Sequence, residues 1–135
     1  MSRVRIREEH ELPWMLTRSL VKPEDLERFS DGELNSKVRF REVGSDNSPQ
    51  LFEVEFAPDS EVKIHAHEED EIIFVLTGQM QVGSRVLGPG ASVFIKGNTL
   101  YGFKVGHQGM TFLNFRPRLD ATFITRDEFL ERHRK

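Results

Sequence analysis

His65-Ala66-His67-Glu68-Glu69-Asp70-Glu71 runs directly into the apolar stretch Ile72-Ile73-Phe74-Val75-Leu76 and then, after Thr77, reaches Gly78. The spacing is H-x-H-x3-E-x6-G. In an extended strand side chains alternate between faces, so His65 and His67 point the same way. Glu71 opens the apolar run and joins that side if the chain turns between the two segments. Two imidazoles and one carboxylate on one face form the facial ligand set of non-haem iron oxygenases, and the set also suits manganese, nickel or zinc.

Around this stretch the pattern is strand, turn, strand. Lys37-Val38-Arg39-Phe40-Arg41 and Phe52-Glu53-Val54-Glu55-Phe56 alternate apolar with polar. Gly44 to Pro49 reads as a loop, and Ala57-Pro58-Asp59-Ser60 as a turn before the histidines. Gly78 and Gly83 bracket an expected short strand, Gln79 to Val82. Gly88-Pro89-Gly90 is an expected tight turn. Ser92 to Ile95, Leu100 to Val105 and Met110 to Phe115 read as further strands, with Gly106-His107-Gln108-Gly109 predicted as the hairpin joining the last two. Many short strands with glycine and proline punctuation indicate a sandwich, jelly roll or barrel. Near the start, Pro23 to Phe29 predicts a short helix with proline in its first turn. At the end, Thr125-Arg126-Asp127-Glu128 is a capping box before Phe129-Leu130, which predicts a short helix lying on the barrel as a structural lid.

The motif resembles that of the cupins. Their first motif is G-x5-H-x-H-x3,4-E-x6-G, and the chain matches it from His65 to Gly78, with Asp59 where the leading glycine belongs. Pro89 to Ile95 fits the first half of the second cupin motif. Lys96 then replaces a common proline, and Tyr101 falls where a histidine ligand belongs. The resemblance covers roughly residues 50 to 116. It implies an all-β fold, the double-stranded β-helix or jelly-roll barrel, with an irregular N-terminal segment and a short C-terminal helix. The expected divisions are an N-terminal arm over 1–36, the barrel over 37–120, and the C-terminal helix and tail over 121–135. It also implies a divalent metal held by His65, His67 and Glu71, iron first, with manganese, nickel or zinc as alternatives.

Tyr101 is expected at the site either as a phenolate ligand or, standing off the metal, as a hydrogen-bond donor to substrate, and it is the candidate catalytic residue. A free phenol titrates near pH ~10, which disfavours ligation unless a metal lowers that value. By strand parity Arg39, Arg41, Gln79, Gln81 and Asn114 are candidate pocket residues. Arg116, just before Pro117 where a last barrel strand would end, is a further candidate to face the pocket, with a salt bridge to the acidic face as the alternative. His107, in a glycine-flanked turn, is read as an exposed turn residue; His10 and His133 receive no role.

Composition narrows the function. With 19 basic and 22 acidic residues the net charge is -3, so there is no global basic field for nucleic acid. The absence of cysteine excludes disulfides and thiolate metal sites. No long apolar segment is seen, so neither signal peptide nor membrane span is expected, and a cytoplasmic protein is the expectation. Eleven phenylalanines against one tyrosine and one tryptophan predict a phenylalanine-based core. The function expected by resemblance is a small metal-dependent dioxygenase acting on a diketone, hydroxyketone or carboxylate. The alternatives are a cupin isomerase or lyase, or a non-catalytic module that binds a metal or small ligand. A homodimer is expected by resemblance, with the apolar flank Leu12 to Leu16 packing on the barrel or on a partner.

Overall fold

A computed structural model describes residues 3–134. Among the described residues nine strands follow one another: β1 (Met15–Leu16), β2 (Lys37–Glu42), β3 (Gln50–Phe56), β4 (Glu61–Ala66), β5 (Glu71–Val82), β6 (Arg85–Leu87), β7 (Ser92–Ile95), β8 (Tyr101–Arg116) and β9 (Ile124–Thr125). Two short α-helices accompany them, α1 (Asp31–Leu34) before β2 and α2 (Arg126–Arg132) at the end. All strand pairings are antiparallel. The fold is the expected all-β jelly-roll barrel with a short C-terminal helix.

β8 organises the barrel. Along one edge it pairs with β5 for most of its length. Along the other edge its first part pairs with β4 and its last part with β3. The predicted hairpin at Gly106–Gly109 does not form. Met110 pairs with Gly78 and Val105 with Met80, so the same partner strand continues on both sides of the glycines. The segment is a bulge within one 16-residue strand. Gly78 likewise does not end a strand; it lies inside the 12-residue β5. The two bulges meet, because a Cβ on Gly78 would stand 1.9 Å from the Gly109 carbonyl oxygen. Asp59 has φ 60°, the left-handed conformation that favours glycine. That geometry accounts for the glycine of the cupin motif at this position.

Inward residues of the long strands make the core: Val38, Val54, Phe56, Val62, Ile73, Val75, Met80, Phe103, Val105, Met110 and Phe112 are buried together. Thr125 caps α2 as the sequence predicts: its hydroxyl accepts from the Glu128 amide at 3.2 Å while the Glu128 carboxylate accepts from the Thr125 amide at 2.9 Å. Ser30 and Glu33 form the same box on α1. The predicted N-terminal helix is a 3-10 helix over Pro23–Arg28. The flank around Trp14 joins the barrel, since β1 pairs with β2. Trp14 itself lies over the Arg39 guanidinium, 4.3 Å from ring centroid to charge centre. Among the described residues, no helix is long and apolar enough to cross a membrane.

Candidate functional site

The barrel holds a cavity of about 250 Å³. Its wall is largely phenylalanine (Phe29, Phe40, Phe52, Phe56, Phe103, Phe112, Phe123), and its polar edge includes His65, His67, Tyr101, Asn114 and Arg116. His65 ends up there because it is on β4 opposite Tyr101 of β8. His67 follows just beyond the strand.

Both imidazoles are held by backbone carbonyls. His65 Nδ1 lies 2.6 Å from the Lys63 carbonyl oxygen, and His67 Nδ1 meets the Thr122 carbonyl oxygen. A carbonyl only accepts, so each Nδ1 carries the proton and each Nε2 is left with a lone pair. These Nε2 atoms face each other at 3.1 Å. Two lone pairs at that distance repel, so the pair has room for one proton or one cation between them. Phe123 stacks on His65 with centroids 4.5 Å apart and planes 10° apart. Burial, followed by the neighbouring His67, lowers the His65 pKa to about 4. Burial, then the Arg116 charge, also lowers that of His67. Both rings are therefore neutral at neutral pH.

Glu71 is 1% exposed and fully engaged. One carboxylate oxygen accepts from the Tyr101 hydroxyl. The other accepts from Asn114 Nδ2 at 3.2 Å and Arg116 Nε at 3.2 Å, with Arg116 Nη2 at 3.1 Å. Burial alone would raise the Glu71 pKa, but the charge of Arg116 and these donors outweigh it and the group stays ionised. Tyr101 is pushed well above the ordinary phenol value by burial and by the Glu71 charge. It is a neutral phenol that donates to a carboxylate. Arg116 also donates from Nη1 to the Asp120 carbonyl at 2.7 Å and from Nη2 to His67 Nε2 at 3.4 Å.

Of the residues singled out by parity, Asn114 lies on the cavity wall and the other four lie elsewhere. Arg39 and Arg41 pair with Glu53 across the strand surface, Arg39 at 2.9 Å. They alternate with the inward Val38 and Phe40 and so face outward. Gln79 and Gln81 line a separate outer groove with Asp59, Glu61, Lys104 and His107. His107 is exposed and bonds Asp59 at 2.6 Å.

Sequence reasoning missed Glu33, Asp120, Thr122 and Phe123. Glu33 lines the cavity and accepts from the Lys63 amide at 3.1 Å, which caps the edge of β4. Asp120 accepts from the Glu69 and Thr122 amides, both at 2.8 Å, and so ties the C-terminal segment to the acidic turn. The tail is thus more than a lid, since residues 120–123 hold His67 and stack on His65. For Glu33 a signal existed, because Ser30-x-x-Glu33 is the same capping pattern as Thr125-x-x-Glu128. The segment 120–123 has no periodicity that would place it.

No family model matches the sequence, and no curated protein does. Solved structures do match. The polyketide cyclase RemF from Streptomyces resistomycificus superposes with a TM-score of 0.67 at 19% identity, covering 96% of this chain and 93% of that one. An RmlC-like cupin protein from Ralstonia eutropha gives 0.63 at 12% identity, covering 93% and 81%. Bacillus subtilis oxalate decarboxylase, a protein with Mn(II) centres, gives 0.57 at 14% identity, covering 67% of this chain and 28% of that one. These neighbours establish an RmlC-like cupin fold.

The histidine pair fits a cation: two neutral imidazoles, each fixed by a carbonyl on its far nitrogen, aim both lone pairs at one place. The carboxylate does not complete the set. Glu71 is neutralised by Arg116, which also reaches His67. Among the described residues, the one group of three His, Asp or Glu residues whose ligand atoms lie within 4.8 Å of one another is exposed Glu8, His10 and Glu11 near the N-terminus. The two-histidine, one-carboxylate set is therefore not assembled in this arrangement.

Proposed function

We propose that the chain is a cupin enzyme that moves a proton on a carbonyl compound with an apolar, ring-sized body. The observation that carries this reading is the neutral His65–His67 pair opening on a phenylalanine-walled cavity. One Nε2 takes a proton from the carbon beside the carbonyl, and the second nitrogen is placed to share it. Arg116, on the same wall, supplies positive charge for the enolate oxygen that develops. Return of the proton to another atom completes an isomerisation, elimination or ring closure. The class remains the diketones and hydroxyketones, and the phenylalanine wall adds an aromatic body to them. The fold likeness to a polyketide cyclase agrees with that class.

A dioxygenase, with iron or another divalent metal on His65, His67 and Glu71, requires Glu71 to leave Arg116, Tyr101 and Asn114. The experiment is deuterium incorporation from D2O into aryl ketones with slow spontaneous exchange, such as 1-tetralone, followed by NMR. Catalysed exchange is expected, with His65→Asn or His67→Asn slowing it by about 10²-fold or more. Oxygen uptake with Fe(II) and no exchange would support the dioxygenase. Saturable binding with neither would support the binding module.

A further inference from the structure

We propose that Arg116 is the built-in counter-cation of this site and keeps divalent metal away from Glu71. Four contacts fix its position. Its guanidinium reaches Glu71 Oε2 from two nitrogens, at 3.2 and 3.1 Å. A third nitrogen holds the Asp120 carbonyl at 2.7 Å, and Nη2 lies 3.4 Å from His67 Nε2. The Phe52 ring supports it from below, 5.4 Å from its charge centre. Arg116 is 8% exposed, so the ion pair is almost free of water screening. An arginine is never deprotonated in a protein, so this positive charge is permanent. A dication at the histidines would stand beside that charge, and Glu71 could reach the ion only by leaving a buried partner unpaired.

Removing the guanidinium reverses the situation. Glu71 would then be a buried carboxylate with no counter-charge, next to two imidazole lone pairs. That is an anionic three-ligand pocket with the residue types that bind divalent metal. The inference concerns the same site as the proposed proton transfer, but its readout is metal affinity, so either can fail alone.

The experiment measures Zn(II) affinity by competition with a chromophoric chelator, and Co(II) visible absorption, for four proteins: wild type, Arg116→Met, Glu71→Gln and the double variant. Arg116→Met is expected to bind Zn(II) about 10- to 100-fold more tightly than wild type. The double variant, which loses both charges together, is expected to bind as weakly as wild type. Unchanged or weaker binding by Arg116→Met would overturn the proposal. So would weaker binding by the double variant than by wild type, since Glu71 would then be a ligand in the native protein. If Arg116→Met does not fold, the comparison of wild type with the charge-balanced double variant still decides.

Discussion

Lowering the pH from 7 to 5 should destabilise the fold through His65 well before any carboxylate titrates. The His65 pKa is about 4 in the folded chain, against an ordinary 6.5. Between those values the unfolded chain binds a proton that the folded chain does not, so stability falls as pH falls. At about 1.4 kcal/mol per pH unit, the whole interval amounts to about 3 kcal/mol, of which about 2 kcal/mol is lost by pH 5. His67 is shifted in the same direction and adds to the loss. Glu53, Glu71 and Asp120 are held below their ordinary values, so their contribution is lost only below the usual carboxylate range, outside this window. The assay is urea denaturation at pH 7, 6 and 5 for wild type and His65→Asn. Asparagine keeps a donor near the Lys63 carbonyl and cannot titrate. Wild type should lose about 2 kcal/mol more than the variant over this range. Equal pH dependence in the two proteins would refute the reasoning, because His65 would then take up its proton without cost in the folded state.

Three further outcomes are expected. Gly78→Ala should cost more than about 2 kcal/mol in chemical denaturation, since alanine would adopt φ 76° and collide with the Gly109 carbonyl; a neutral effect would show that the paired bulges open freely. Glu53→Gln should cost about 2–3 kcal/mol, because Arg39 is 7% exposed and would keep only the exposed Glu9 as a full counter-charge. A loss within the scatter of surface substitutions would place that ion pair among the energetically silent ones. The expected homodimer has a better face than the Trp14 flank. Ile72, Phe74, Phe94 and Phe115 are neighbours in register on the outer surface and are each 38–63% exposed. Sedimentation should show a dimer for wild type and a monomer for Phe94→Glu; a monomeric wild type at micromolar concentration would refute it.

The register also explains what parity could and could not locate. On β8, Phe112, Asn114 and Arg116 share one face with no bulge between them, so counting by two from a core phenylalanine leads to the cavity. Arg116 was legible on that count, yet a charge beside the final Pro117 reads as a surface salt bridge, and its carboxylate partner is 45 residues away. On β5 the same count fails. Ile73 and Val75 point inward, and unbroken alternation would bring Gln79 and Gln81 after them. The register shift between Val75 and Thr77 swaps the faces: Val75 is buried opposite Phe112, Thr77 is exposed opposite Thr111, and so Met80 is buried while the two glutamines lie outside. That shift falls at Leu76, inside the apolar run, where no glycine announces it, so a count along the sequence passes straight through. The histidines were legible for the opposite reason, since their spacing is local and needs no distant register. Their surroundings are not local: Arg116, at the end of β8, lies 3.4 Å from His67 Nε2 and pairs with Glu71, the carboxylate that a sequence motif alone would have given to a metal.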